Sequence, residues 1–163
     1  MIQSHPGLAP DVAALSPFVA ADLNAVDDMA AEAVAVFCFS DVRPLAGAAE
    51  ILDWRLSGRL SRALERGLVS GALGEVTLLP VMARRRRRVF LFGLGEVRAT
   101  DRAVFRKVGR EAMVTLTEAG ALGVALVAPA ARDDLEVEAE FLRAVAEELK
   151  GQVLTVLVAP RPA

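Results

Sequence analysis

The chain alternates short apolar runs with longer stretches in which apolar residues recur every three or four positions, and this alternation predicts its elements. Residues 16–20 and Ala33–Phe39 read as strands; the second, Ala-Val-Ala-Val-Phe-Cys-Phe, has no charged side chain and reads as a strand covered on both faces. Over 48–66, Ile51, Leu52, Leu56, Leu60 and Leu64 recur at helical spacing, with Gly67 as the stop. Trp54 on this helix reads as a packing residue. Residues 75–82 and 89–92 read as two strands joined by a short charged connection, which is a hairpin pattern. Thr100 and Asp101 can cap a helix over 102–119, closed by Gly120. A strand over 123–128 follows. Asp133 and Asp134 then open a helix running to Lys150, its acidic residues early and its lysine at the end, as the helix dipole favours. Gly151 breaks that helix before the last strand, Val153–Val158.

Strands interleaved with helices, plus one hairpin, predict an α/β domain: a mixed β-sheet flanked by helices in three layers. A length of 163 residues fits one domain over 11–163, with a loose segment over 1–10. With 54% hydrophobic and 25% charged residues the chain is not a disordered one, and a single Cys excludes a disulfide scaffold. A mean hydropathy of +0.41 raises the question of a membrane span, but the longest apolar runs have seven or eight residues against the roughly twenty a span requires. No membrane contact is expected. Residues 1–10 have neither a basic start nor an apolar core, so no signal peptide is read there. Cys38 lies inside the buried run with no charge nearby to hold a thiolate, which reads as a core thiol and a cytoplasmic setting.

The net charge of −2 gives no global attraction to nucleic acid, but the charge is unevenly placed. Arg84, Arg85, Arg86, Arg87 and Arg88 are consecutive, and Arg102, Arg106 and Arg110 recur every four residues beside the apolar positions Phe105, Val108, Ala112 and Leu116. As a hairpin tip and a helix stripe these side chains fit either phosphates or the acidic surface of a protein partner. No aromatic residues interleave with them for base stacking, so a solvated loop, or one pairing with the acidic surface of a partner subunit, is the favoured reading. One His and one Cys do not make a zinc site, and Asp133, Asp134, Glu136, Glu138 and Glu140 read as a solvated helix start. No catalytic residue, metal ligand or cofactor is expected. Gly93-Leu94-Gly95, between a strand and a helix, has the look of a phosphate loop. Arg98 stands where a third glycine would be and Asp101 would repel phosphate, so a tight turn is the plainer reading.

Four features, taken in order, carry a family resemblance. The strand Val34 to Phe39 ends in the acidic turn Ser40-Asp41. The helix after Ala48 holds Leu52-Asp53 and Gly58-Arg59-Leu60. Gly71 and Gly74-Glu75 precede a strand as a Gly-x-x-Gly-Glu turn. Arg88-Val89-Phe90-Leu91-Phe92-Gly93-Leu94-Gly95-Glu96 is followed by a Thr-led helix with the pair Arg106-Lys107. Over 33–129 the chain resembles the N-terminal domain of the leucine aminopeptidases, with Ala72 and Leu73 where that family often has lysine in the turn. The resemblance implies a macro-domain-like fold. It also implies that catalysis belongs to a separate C-terminal domain with two metal ions and the string Asn-Thr-Asp-Ala-Glu-Gly-Arg, which does not occur in these residues. The function so implied is a non-catalytic module acting through protein partners, homo-oligomerisation or regulation; the alternative is a subunit or fragment of such an aminopeptidase. The macro-like fold adds a nucleotide or ADP-ribose reading. Ala20-Ala21-Asp22-Leu23 loosely resembles the macro-domain turn that sets an Asp on adenine, with Gly93 and Gly95 as phosphate-side candidates. Phe39-Ser40-Asp41 stands in place of that family's Asn segment, and Asp22 also reads as a plain turn residue.

Overall fold

The computed structural model describes residues 18–82, 86–129, 135–149 and 153–158. In chain order these form β1 (Phe18–Ala20), α1 (Leu23–Asp28), β2 (Ala33–Phe39), α2 (Ala48–Arg55), α3 (Arg59–Glu65), β3 (Val76–Met82), β4 (Arg86–Gly95), a single 3-10 turn (Val97–Ala99), α4 (Arg102–Glu118), β5 (Gly123–Val127), α5 (Leu135–Glu147) and β6 (Val153–Val158). The strands make one six-stranded sheet in the order β1-β6-β5-β2-β4-β3. All neighbours are parallel except β3, which runs antiparallel to β4 as the hairpin pattern predicts. Among the described residues no helix is long and apolar enough to cross a membrane.

Strand alternation divides the core in two. Val34, Val36 and Cys38 of β2 turn to one face, where α1, α2 and α3 lay down Val26, Leu52 and Leu60. Ala33, Ala35 and Phe37 turn to the other, under α4 and α5. Phe37 stacks on Phe92 at 5.4 Å and meets Phe141 edge-on at 4.8 Å, which ties β2, β4 and α5 together. Asp101 caps α4 by accepting from the Val104 amide at 3.0 Å. Gly109 lets α4 and α5 approach closely, since a Cβ there would stand 2.9 Å from the Phe141 carbonyl oxygen. Cys38 is buried, donates to the Phe92 carbonyl at 3.8 Å, and burial pushes its thiol up to about 11.

Three expectations change. The six-residue α1 appears where no helix is predicted, capped by Asp22. The helix expected over 48–66 is two helices, broken where Ser57 and Gly58 take left-handed φ values of 57° and 72°. Asp53 spans the break: its buried carboxylate accepts from the Leu60 amide at 2.7 Å and the Ser61 hydroxyl at 2.5 Å. Finally, β4 begins at Arg86, so Arg86, Arg87 and Arg88 belong to the strand and not to a connecting loop. The predicted helix start at Asp133 and Asp134 and its end at Lys150 lie outside the described residues.

Candidate functional site

In open α/β sheets, ligands sit outside the carboxyl ends of the parallel strands, where the chain changes direction across the sheet. Here that place is β2, because α4 carries the chain from β4 on one side of it to β5 on the other. On the β2–β4 side the crevice is occupied by the chain's own loop over 70–74. Gly71 lies against the end of β2, where a Cβ would stand 2.6 Å from the Phe39 carbonyl oxygen. At Gly93 a Cβ would meet the Ala72 carbonyl oxygen at 1.9 Å, so only glycine fits. The amides of this end are spent internally: Gly93 N–H donates to Glu75 at 2.9 Å, Gly95 N–H to Gly71 at 2.9 Å and Ser40 N–H to Gly95 at 2.9 Å.

The loop is locked from outside as well. The Glu75 carboxylate accepts from the Ser70 hydroxyl (2.7 Å) and from the Ser70 (2.9 Å) and Gly71 (2.7 Å) amides, and these hydrogen bonds, the hydroxyl first, hold its pKa below the usual carboxylate range. The Gly-x-x-Gly-Glu turn thus has a physical reason: Gly71 and Gly74 take φ values of 82° and 85°, and the Glu fastens the turn. Arg43 donates to the carbonyls of Phe39 (2.7 Å) and Ser70 (3.4 Å), bridging strand end and loop. Asp41 accepts from the Val97 amide at 3.0 Å and holds the exit of β4.

The structure does not bring the nucleotide candidates together. Asp22 follows β1 at one side of the sheet and caps α1 through the Ala25 amide at 2.7 Å. Gly93 and Gly95 lie on β4, four strand spacings away, a separation of about 19 Å.

The arginine candidates divide too. Arg84 and Arg85 lie outside the described residues. Arg87 is buried and donates to the carbonyls of Val26 (2.8 Å), Asp27 (3.3 Å) and Met29 (3.0 Å) at the end of α1. Arg88 donates to Ala119 O at the end of α4 at 2.6 Å and lies 3.9 Å from Glu32. Both guanidiniums close helix C-termini, where the dipole favours a cation. Glu32 in turn accepts from the Leu122 amide at 2.6 Å, which, with a smaller contribution from Arg88, lowers its pKa. On α4, Arg106 pairs with Glu147 (3.1 Å) and Glu140 (3.4 Å), and Arg110 with Glu148 (3.1 Å) and Glu147 (3.5 Å). Arg102 is also engaged within the chain.

Trp54 corrects an expectation. It is 67% exposed, not packed, because its position on α2 points away from Leu52 and Leu56, which take the core side. It lines an open groove of about 420 Å³ with Pro44, Leu45, Ser57, Gly58 and Ser61, and with the carboxylates of Glu50 and Asp53. Its exposure has no local signal, since the same spacing would serve a buried Trp. Among the described residues no group of three or more His, Cys, Asp or Glu side chains is placed to hold a metal ion.

Residues 33–152 match the cytosol aminopeptidase family, N-terminal domain. The chain belongs to this family. A probable cytosol aminopeptidase of Idiomarina loihiensis is 38% identical over 81 residues, which are 49% of this chain and 16% of that protein. Among solved structures, a tomato leucine aminopeptidase variant superposes with a TM-score of 0.62 at 18% identity, covering 91% of this chain and 33% of its own. The macrodomain of Mycobacterium tuberculosis DarG superposes with a TM-score of 0.65 at 14% identity, covering 89% and 99%. A macrodomain from Oceanobacillus iheyensis reaches 0.63 at 10% identity. These likenesses show a macro-like α/β fold. The chain spans about a sixth of the curated relative and a third of the tomato enzyme. The aminopeptidase-family domain therefore carries the Gly71–Glu75 turn and the Gly93–Gly95 strand end as one interlocked unit.

Proposed function

We propose that this aminopeptidase-family domain is a non-catalytic module of the cytoplasm that works through protein contacts, in oligomerisation or as a regulatory partner. The observation that carries the reading is the crevice at β2 and β4: the loop over 70–74 fills it, and the amides of Gly93 and Gly95 are already bound to Glu75 and Gly71. A crevice so filled favours a scaffold whose outer surfaces do the work. The nucleotide reading through Asp22, Gly93 and Gly95 is weaker for the same reason. Nucleic-acid binding through the arginines is weaker because Arg87, Arg88, Arg106 and Arg110 already have acceptors within the chain.

A second reading, part of a leucine aminopeptidase, is supported by the relatives' greater length. One experiment separates the two: affinity capture of the tagged chain from its own lysate with nuclease treatment, read by mass spectrometry at low and high salt. A protein partner other than a peptidase, recovered at fixed stoichiometry, or a defined homo-oligomer by light scattering, supports the module. A stoichiometric metallopeptidase makes this chain its detached domain, and a strictly monomeric chain with no partner overturns the module.

A further inference from the structure

Trp54 and the outer face of α3 lie exposed among the described residues. Arg59 and Arg62 of α3 and Arg66, the residue that caps its C-terminus, are spaced i, i+3 and i+7, so they lie along one side of the helix and its end, and all three are exposed. Their guanidiniums have no hydrogen-bond or ion-pair partner among the described residues, the hydrogen bonds of Arg62 and Arg66 being backbone ones. Every other guanidinium whose side chain is described is engaged within the chain: Arg55 on Asp27, Arg98 on Glu96, Arg106 and Arg110 on Glu147, Arg143 on Glu140, and the rest on carbonyls or neighbouring groups. The stripe borders the Trp54 groove, because the Arg62 guanidinium reaches within 3.4 Å of the Cβ position of Gly58, a groove residue. Trp and Arg, here exposed near one another, are among the residue types enriched at the hot spots of protein interfaces.

The charges around the groove narrow the partner. Asp53 is consumed by Leu60 and Ser61, but Glu50 lines the groove and Glu65 is exposed on α3 between Arg62 and Arg66. A nucleic-acid backbone, with a charge at every step, would run past both carboxylates. A peptide can place its carboxylates on the arginines and set an apolar residue against Trp54. We propose that Trp54 with Arg59, Arg62 and Arg66 is the docking site for an acidic segment of a partner protein carrying an apolar anchor. The proposal rests on the module reading above and names the surface through which the module acts.

Trp54 is the sole tryptophan and the chain has no tyrosine, so its emission reports this groove alone. The full chain is titrated with a blocked Glu-Glu-Leu-Phe-Glu-Glu peptide. The expected result is a saturable blue shift, weakened by added salt and weakened about tenfold in the Arg59→Ser, Arg62→Ser double variant. A fluorescein-labelled form of the peptide followed by anisotropy loses its binding to Trp54→Ala, a change at an exposed position that leaves the core intact. The proposal is overturned by no saturable shift, by an equal shift with the Lys-for-Glu peptide, by tighter binding of an oligonucleotide, or by a shift that depends on chain concentration alone, which would signal a second copy. If a partner captured from lysate is retained equally by the double variant, this surface falls while the module reading stands.

Discussion

Gly93 lies directly under Ala72, so close that a methyl group on Gly93 would stand 1.9 Å from the Ala72 carbonyl oxygen. The obstacle is backbone, which cannot swing aside as a side-chain tip can. Gly93→Ala must therefore push the loop over 70–74 off the end of β4, breaking the Gly93–Glu75 and Gly95–Gly71 hydrogen bonds. The expected loss is about 3 kcal/mol or more, at the upper end of overpacking effects. Gly120→Ala is the control: φ is 69° but nothing lies within 4 Å, so it should lose only about 1 kcal/mol. Urea denaturation of both variants checks the contrast, and equal losses would mean the loop yields freely.

Arg87 reaches the carbonyls of Val26, Asp27 and Met29 from a strand about 60 residues later in the chain. Arg87→Met keeps much of the aliphatic stem but leaves the buried Val26 and Met29 carbonyls and the part-buried Asp27 carbonyl at the end of α1 without their donor. A loss of about 2–3 kcal/mol is expected, as for unsatisfied buried groups. Arg106→Met removes exposed ion pairs on α4 and should lose no more than about 1 kcal/mol, an effect that salt screens. Thermal unfolding at low and high salt measures both; an Arg87 variant as stable as the Arg106 variant would show that water replaces the guanidinium.

Glu75 gives the turn a pH dependence of known sign. Its folded pKa lies below the ordinary 4.5, so its contribution is present above that value and is lost as pH falls through the lowered folded value. Loosening of the loop over 70–74 is expected only in acid, with no change between pH 6 and 8 from this group. Amide exchange at Gly71 reads it. Glu75→Gln should speed that exchange at neutral pH by roughly three- to tenfold, the net worth of one ordinary hydrogen bond, and should remove the acid step. An acid step that persists in Glu75→Gln would assign it to another carboxylate.

What the sequence makes legible and what it hides follow from the range of the forces involved. The apolar run of β2, the capping Asp101 and the 75–92 hairpin are local patterns, and the structure has all three. The helix α1 is too short for a periodic signal and is held by the Asp22 cap and by burial of Val26 under α2. The break at Ser57 and Gly58 is hidden because Leu56, Leu60 and Leu64 keep helical spacing across it. Arg87 and Arg88 look like loop residues because their carbonyl partners on α1 and α4 are distant in the chain. At the candidate site the glycine turn at Gly71 was legible; Gly93 reads in sequence as part of a tight turn but lies within β4, where the close approach of Ala72 requires glycine, and the solvent exposure of Trp54 was hidden.

The corner between α2 and α3 offers the last prediction, because one buried carboxylate organises it. Asp53 accepts from the Leu60 amide, the Ser61 amide and the Ser61 hydroxyl, so it acts as the N-terminal cap of α3 although it lies seven residues before Leu60. The cap residue itself, Gly58, has no side chain to do this. Asp53→Ala leaves a buried amide without an acceptor and is expected to lose about 2–3 kcal/mol, against about 1 kcal/mol for the exposed cap change Asp101→Ala. Ser61→Ala removes a single donor and should fall between zero and about 1 kcal/mol. Since Asp53 and Ser61 both line the Trp54 groove, Asp53→Ala should also change the emission of Trp54 in the folded protein, whereas Asp101→Ala should not. Urea melts followed by Trp54 fluorescence and by circular dichroism measure stability and groove together. If Asp53→Ala matches Asp101→Ala in both, the carboxylate is an ordinary cap and the corner holds its shape without it.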